Sequence, residues 1–428
     1  MAIDNYQVDH RISLFISYSF ILVAINRLTD LPFLVSYQSM IAQIQWVIYV
    51  LWFASLYFKV IRFRTGHLVK RTVFITLLLY AVGILISLVN NHPLDILLNH
   101  DLMWTFTQFL PVGFAAYVVN DYKVLYNTLY KYSFVISICC TAIFFNYMSN
   151  PFGYSYDMTF GYVLLLPTLI HYSWFLNHKK QFWIGVIALG ETIMLCLYGS
   201  RGDILAIASY FIVRSLFASQ VKKRVVIPIT IIAGFLVFGG LPVVNDYLES
   251  QGIYSRTLMI LSTQDAKESS GRNEHWDSGV TTIKQSPIIG YGLGGYYYDF
   301  YQNLVSKYPD KKYAFDSESG DYRTVTANFS GTHSGFLDML LFFGIFAGIP
   351  IAIWIIKSIS KIRYMQASEL VELLTITYSI YIITNMTVGG GIHTKPGCAL
   401  YFFILFSWMH HRRFNIQEQC LETATKLQ

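Results

Sequence analysis

Apolar runs close to bilayer length constrain this chain more than any other feature. They occupy residues 12–25, 41–60, 72–89, 103–119, 133–147, 160–175, 182–198, 204–217, 225–238, 335–356, 371–387 and 398–409. A hydrocarbon core about 30 Å thick takes about 20 residues of helix. No water is available there, so each backbone N–H and C=O must be satisfied within the protein, and such runs read as helices. Composition agrees. Of the 428 residues, 54% are hydrophobic and only 13% are charged, against about 25% charged in soluble domains. Too few charges remain to cover a water-facing surface. A soluble enzyme, a disordered chain and a disulfide scaffold are excluded. The expected fold class is an all-α polytopic membrane protein with about 12 transmembrane helices.

Charge sets the orientation. With the N-terminus inside, the inner segments carry Lys59, Arg62, Arg64, Lys70 and Arg71, then Lys123 and Lys131, then Lys179 and Lys180. Further inner segments carry Lys222, Lys223 and Arg224, then Lys357, Lys361 and Arg363, then Arg412, Arg413 and Lys426. The short outer loops hold only Arg27, Arg201 and Lys395. This positive-inside bias places both termini in the cytoplasm. The net charge of +6 therefore follows the spans, and no nucleic-acid partner is expected. Residues 1–10 are polar and acidic, so no cleavable signal peptide is expected. Three parts result: spans one to nine over 1–240, a large loop over 241–332, and spans ten to twelve with a cytoplasmic tail over 333–428. The loop is far longer than an ordinary connection of about 4–6 residues and lies outside by the parity of the spans. None of the five cysteines lies in it, so no extracytoplasmic disulfide is implied.

An enzyme acting outside the membrane has no ATP or nucleotide sugar at hand. It must use a group already activated on its substrate. The sequence holds no Walker motif and no HExxH, and the loop has no DxD pair, so neither a cofactor nor a metal is expected. Asp316, Glu318 and Asp321 read as solvated loop charge. Gly290-Tyr-Gly292-Leu-Gly294-Gly295 matches GxGxxG in form, but it sits among tyrosines in a loop and reads as a flexible turn. Asn328-Phe-Ser330 reads as a chance sequon.

Three basic groups on the outer face stand out. Arg201, in Gly199-Ser200-Arg201-Gly202-Asp203, goes against the charge rule; a salt bridge to Asp203 is the plain alternative to a ligand role. Arg272 lies in Ser270-Gly271-Arg272-Asn273-Glu274-His275-Trp276, where an exposed loop arginine is the plain alternative. His333 lies where the loop re-enters the membrane. Guanidinium groups bind phosphate oxygens bidentately and stay charged. A histidine can take a proton from a sugar hydroxyl. Together they suit glycosyl transfer from a lipid-linked pyrophosphate, whose departure cations stabilise.

Those residues resemble the bacterial O-antigen polymerase and O-antigen ligase superfamily, which includes the Wzy-type repeat-unit polymerases. The likeness covers the topology and three motif regions: Gly199-Ser200-Arg201-Gly202; Ser270-Gly271-Arg272 with Trp276 and then 286–294; and His333-Ser334 with Leu337, Leu340 and Gly344. The family usually has His-Asn where this chain has His-Ser. The resemblance implies a metal-independent, inverting glycosyltransferase of the GT-C type in the bacterial cytoplasmic (inner) membrane. Undecaprenyl-pyrophosphate-linked oligosaccharide would be both donor and acceptor. Arg201 and Arg272 would hold the pyrophosphate, and His333 would activate or position the acceptor hydroxyl. Arg256 and Tyr291 would contact phosphate and sugar. Membrane lipids, a chain-length regulator and the flippase of the same pathway are the other implied partners.

Ionisable residues within spans are functional candidates by default. Glu191 can line a carrier groove or form a buried pair. Asp338 can orient His333 or face the substrate. Arg214 is expected to snorkel to the headgroups. Polymerase and ligase are not separated by these motifs. A lipid-linked oligosaccharide flippase is a different class; it must open its site to both faces in turn, whereas the three basic motifs share one side.

Overall fold

The computed structural model describes residues 5–28, 33–64, 108–149, 158–178, 181–198, 201–217, 272–316, 321–324, 332–365, 368–387 and 396–409, with a few isolated positions besides. The runs at 72–89 and 225–238 fall almost wholly outside them. Where described, the other runs are helical, usually with longer ends than hydropathy alone marks. They are α1 (Asn5–Leu28), α2 (Gln38–Leu56), α3 (Leu110–Tyr117), α4 (Tyr122–Ser149), α5 (Met158–Asn177), α6 (Phe182–Tyr198) and α7 (Arg201–Phe217). The loop supplies α8 (Arg272–Gln285) and α9 (Gly292–Lys307). After it come α10 (Gly335–Ser358), α11 (Ser368–Thr377) and α12 (Pro396–Met409). A π-helical turn extends α2 over Tyr57–Ile61 and another extends α11 over Tyr378–Ile383.

Among the described residues, four helical stretches are long and apolar enough to cross a membrane: Asn5–Asn26, Gln38–Arg64, Tyr122–Asn146 and Gly335–Ile362. Shorter apolar helices span Val163–Asn177, Phe182–Leu197 and Pro396–Met409. The chain is an integral membrane protein by this measure. The all-α expectation needs one correction. Tyr313–Asp316 and Asp321–Thr324 pair as an antiparallel hairpin, β1–β2, with Tyr313 opposite Thr324 and Asp316 opposite Asp321. Outside the hydrocarbon a two-stranded ribbon can leave its edges to water, which a span cannot do.

The main core joins α1, α4, α5, α7, α11 and α12, with α1 lying along α4 and α5 against α6. Several polar residues in this core are paired. Ser13, Ser17 and Thr168 each donate to the carbonyl four residues earlier, at 2.7–2.9 Å. This satisfies the hydroxyl within its own helix. Glu191 on α6 accepts from Ser137 on α4 at 2.5 Å and lies 3.0 Å from His171 Nδ1 on α5. His171 Nε2 reaches Ser133 at 2.8 Å. Of the two readings for Glu191, the structure shows the buried pairing.

Arg214 departs from expectation. Its guanidinium does not snorkel; it is buried, with Nε donating to Glu372 Oε1 at 2.7 Å and Nη2 donating to Asn177 Oδ1 at 2.9 Å. Glu372 Oε2 accepts from Tyr210 and Ser173, each at 2.9 Å. A carboxylate arriving from α11, 158 positions away, removes the reason to reach for headgroups.

A second, smaller core holds α8 and α9 on the start of α10. It contains Ile283, Phe300, Leu304, Leu340 and Leu341. At Gly344 the backbone of α10 leaves helical geometry (φ 67°, ψ −178°). The segment Ser286–Tyr291 docks into that break. Tyr291 N–H donates to Leu341 O at 2.8 Å, and Ile345 N–H donates to Pro287 O at 2.7 Å. In an unbroken helix Ile345 N–H would have bonded to Leu341 O; here the turn satisfies both groups. Gly290 (φ 74°) faces Gly344 so closely that a Cβ on it would lie 2.6 Å from Gly344 N, and a Cβ on Gly344 would collide with the Ile288 carbonyl. The glycine pattern read as a flexible turn is thus a docked one, held by two positive-φ glycines in contact.

Candidate active site

Helix α8 brings the first functional group. Arg272 is its first residue and His275 follows one turn later, on the same face. The same face buries Ser278, Gly279, Thr282 and Ile283 further along the helix. Gly279 permits the close approach that matters: a Cβ there would lie 3.1 Å from Thr332 Cγ2. Helix α9 clamps α8 from the other side. Asn303 Nδ2 donates to Thr282 Oγ1 and Gln285 Oε1, both at 2.9 Å, and Tyr308 Oη donates to Asp277 Oδ2 at 2.7 Å. Lys307 pairs with the same Asp277 carboxylate.

His333 comes from the junction before α10. Its φ is 55°, the one positive value outside glycine among the described residues. Such a conformation is uncommon, though histidine adopts it more readily than most. Its neighbours hold it. Asp338 Oδ1, in the first turn of α10, accepts from Thr332 N–H at 3.3 Å and lies 2.6 Å from Thr332 Oγ1. Ser334 N–H donates to Thr332 Oγ1 at 3.1 Å, and Ser334 Oγ donates to Met386 O at 3.1 Å. The carboxylate also complements the helix N-terminus.

The two histidine rings meet, with centroids 5.0 Å apart and planes at 53°. Burial, then the positive charge of Arg272, holds the His333 imidazole below its ordinary range. His275 is pushed down to about 4 by burial first, then by His333, Lys311 and Arg272. Both rings are therefore neutral at pH 7 and able to accept a proton or a hydrogen bond. One guanidinium and two neutral imidazoles lie together at the start of α10, within reach of the positive charge of Lys311, which pairs with Asp310 at 3.5 Å. That set can bind phosphate oxygens and take up a proton.

Arg272 and His333, predicted from sequence, are thus brought together. Tyr291 heads α9, and its Oη donates to Thr282 O at 3.1 Å, so in this conformation it fastens α8. Asp338 braces the Thr332–Ser334 turn and thereby positions His333. Arg201 is the first residue of α7; its side chain, like all of Arg256, lies outside the described residues, as do Ser270 and Gly271. Asp203, the plain alternative partner for Arg201, is buried against Gly161 of α5. His275 and Lys311 were not singled out by sequence. The i, i+3 spacing of Arg272 and His275 was the available signal for the first; nothing local marks Lys311.

The O-antigen ligase family model matches residues 183–352. That match supports the superfamily resemblance carried by the motifs. The match runs from α6 into α10 and takes in Arg201, Arg256, Arg272, His275, Tyr291, His333 and Asp338. It covers about two fifths of the chain. It points to a glycosyltransferase-type enzyme acting on lipid-linked oligosaccharide. A search of curated proteins found no match.

Proposed function

We propose that this protein polymerises undecaprenyl-pyrophosphate-linked oligosaccharide repeat units into a surface polysaccharide, on the outer face of the bacterial cytoplasmic membrane. The convergence of Arg272, His275 and His333 at the foot of α10 carries this reading. The acceptor sugar hydroxyl attacks the anomeric carbon of the donor glycan. The bond from that carbon to the pyrophosphate oxygen breaks, and its electron pair leaves with the pyrophosphate. His333 takes the hydroxyl proton, and the anomeric configuration inverts. Arg272, with Arg201, balances the charge of the departing pyrophosphate. No step is assigned to a metal or cofactor. About twelve spans of GT-C type, with both termini cytoplasmic, complete this reading. A flippase and a chain-length regulator of the same pathway would supply the substrate and set the length.

A ligase moving the finished glycan to lipid A–core is the second reading, favoured by the description of the matching family. Purified protein in vesicles with lipid-linked repeat unit separates the two. Longer lipid-linked chains, formed equally with and without EDTA, are the expected product. Transfer only when lipid A–core is added would establish the ligase instead, and no product with either acceptor would end both readings.

A further inference from the structure

Ile288 and Ile289, at the tip of the docked turn, are 68% and 63% exposed. They sit in a segment that the sequence places wholly outside the membrane. Yet the turn is spliced by two backbone hydrogen bonds into α10, at Leu341 and Ile345. Gly344 lies about nine residues, or roughly 14 Å of helix, past the outer end of that span. Beside it on α10, Phe346 is 84% exposed, and Ile345, Ile349, Ile353 and Ile356 are exposed down the same span. In an integral membrane protein those side chains face lipid. The two isoleucines continue that apolar surface. Lys284, exposed in the last turn of α8 just before the tip, has the reach to place its ammonium among headgroups. Ser286 Oγ donates to Gly290 O at 2.9 Å and Gly290 N–H donates to Ser286 O at 3.2 Å, closing the turn on itself.

We propose that the Ile288–Ile289 tip is inserted in membrane hydrocarbon, so that the large loop is anchored in the bilayer beside α10. The turn leads directly from α8, which carries Arg272 and His275, so the anchor would fix the height of those groups above the membrane. This holds whether or not the chemistry is glycosyl transfer.

Spin labels on cysteines introduced at 288, 289, 306 and 346 test it in phosphatidylethanolamine–phosphatidylglycerol vesicles, with labelled wild-type protein as the background. All four native positions are exposed, so the replacements leave the packing intact. Labels at 288 and 289 are expected to match 346, with high collision rates for oxygen and low rates for a water-soluble nickel chelate. The label at 306 should show the reverse. Chelate access at 288 and 289 equal to that at 306 would overturn the proposal. Two other outcomes would also overturn it: protection that appears only after undecaprenyl pyrophosphate is added, which would assign the surface to the carrier tail, and spin–spin broadening at 288 in protein-dense vesicles, which would assign it to a second copy.

Discussion

Two imidazoles beside one guanidinium pose a question of proton inventory. His333 must be neutral to act as a base, and burial with Arg272 keeps it so below its ordinary value of 6.5. The acid limb of kcat/KM, which reports the free enzyme, is therefore expected below pH 6.5. In the complex the pyrophosphate charge opposes Arg272, so the limb of kcat should lie higher. His333→Gln should lose about 10²–10⁴-fold in rate together with the acid limb. An active glutamine variant with an unchanged limb would remove the base role and leave His333 as a hydrogen-bonding group. Arg272→Lys tests the clamp. Lysine keeps the charge but not the planar fork, so turnover should fall by about tenfold or more; a wild-type rate would return Arg272 to a solvated loop arginine. His275 belongs to this scale too. Sequence presents it as one of 11 histidines, and only the packing of α8 on Thr332 sets its ring against His333.

Helix breaks and buried charges act at the scale of elements. Gly344→Ala meets both a positive φ and the Ile288 carbonyl. Strain of this kind costs about 1–3 kcal/mol, and the cheapest escape is for the turn to undock. Faster tryptic cleavage at Lys284, with the membrane helices unchanged by circular dichroism, is the expected outcome; cleavage at the wild-type rate would show that the splice is not needed. Glu372→Ala leaves the buried Arg214 uncompensated. Such losses cost about 3–5 kcal/mol, which should appear as a clear drop in the thermal midpoint in detergent. An unchanged midpoint would mean that Arg214 finds water or headgroups after all. Hydropathy marked most of these helices, yet neither the Gly344 break nor the Arg214–Glu372 pair was legible. Both need two segments far apart in sequence to be in contact.

For the whole molecule, orientation is the claim that most needs a direct measurement. Ser306 sits near the exposed end of α9, within the loop that the charge asymmetry places outside. A cysteine there should react with an impermeant maleimide in spheroplasts. Labelling only after the membrane is breached would invert the topology and move the whole site to the cytoplasmic face, where a pyrophosphate carrier handed outward could not be its donor.

Hydropathy and charge are local sums, and they suffice to read a polytopic helical protein, its large loop and its positive-inside bias. Arg272 and His333 could be singled out as candidates for a related reason: phosphate binding and proton transfer limit the side chains that can serve. Tertiary structure alone assigned the partners. It set His275 against His333, tied Asp338 to Thr332, turned Arg214 inward to Glu372 and seated a glycine turn in the break of α10. Apart from the local Asp338–Thr332 brace, each of these depends on close approach between segments from different parts of the chain. Hydrogen bonds and ring contacts act over a few ångströms, and residue type alone carries no record of which surfaces are brought that near.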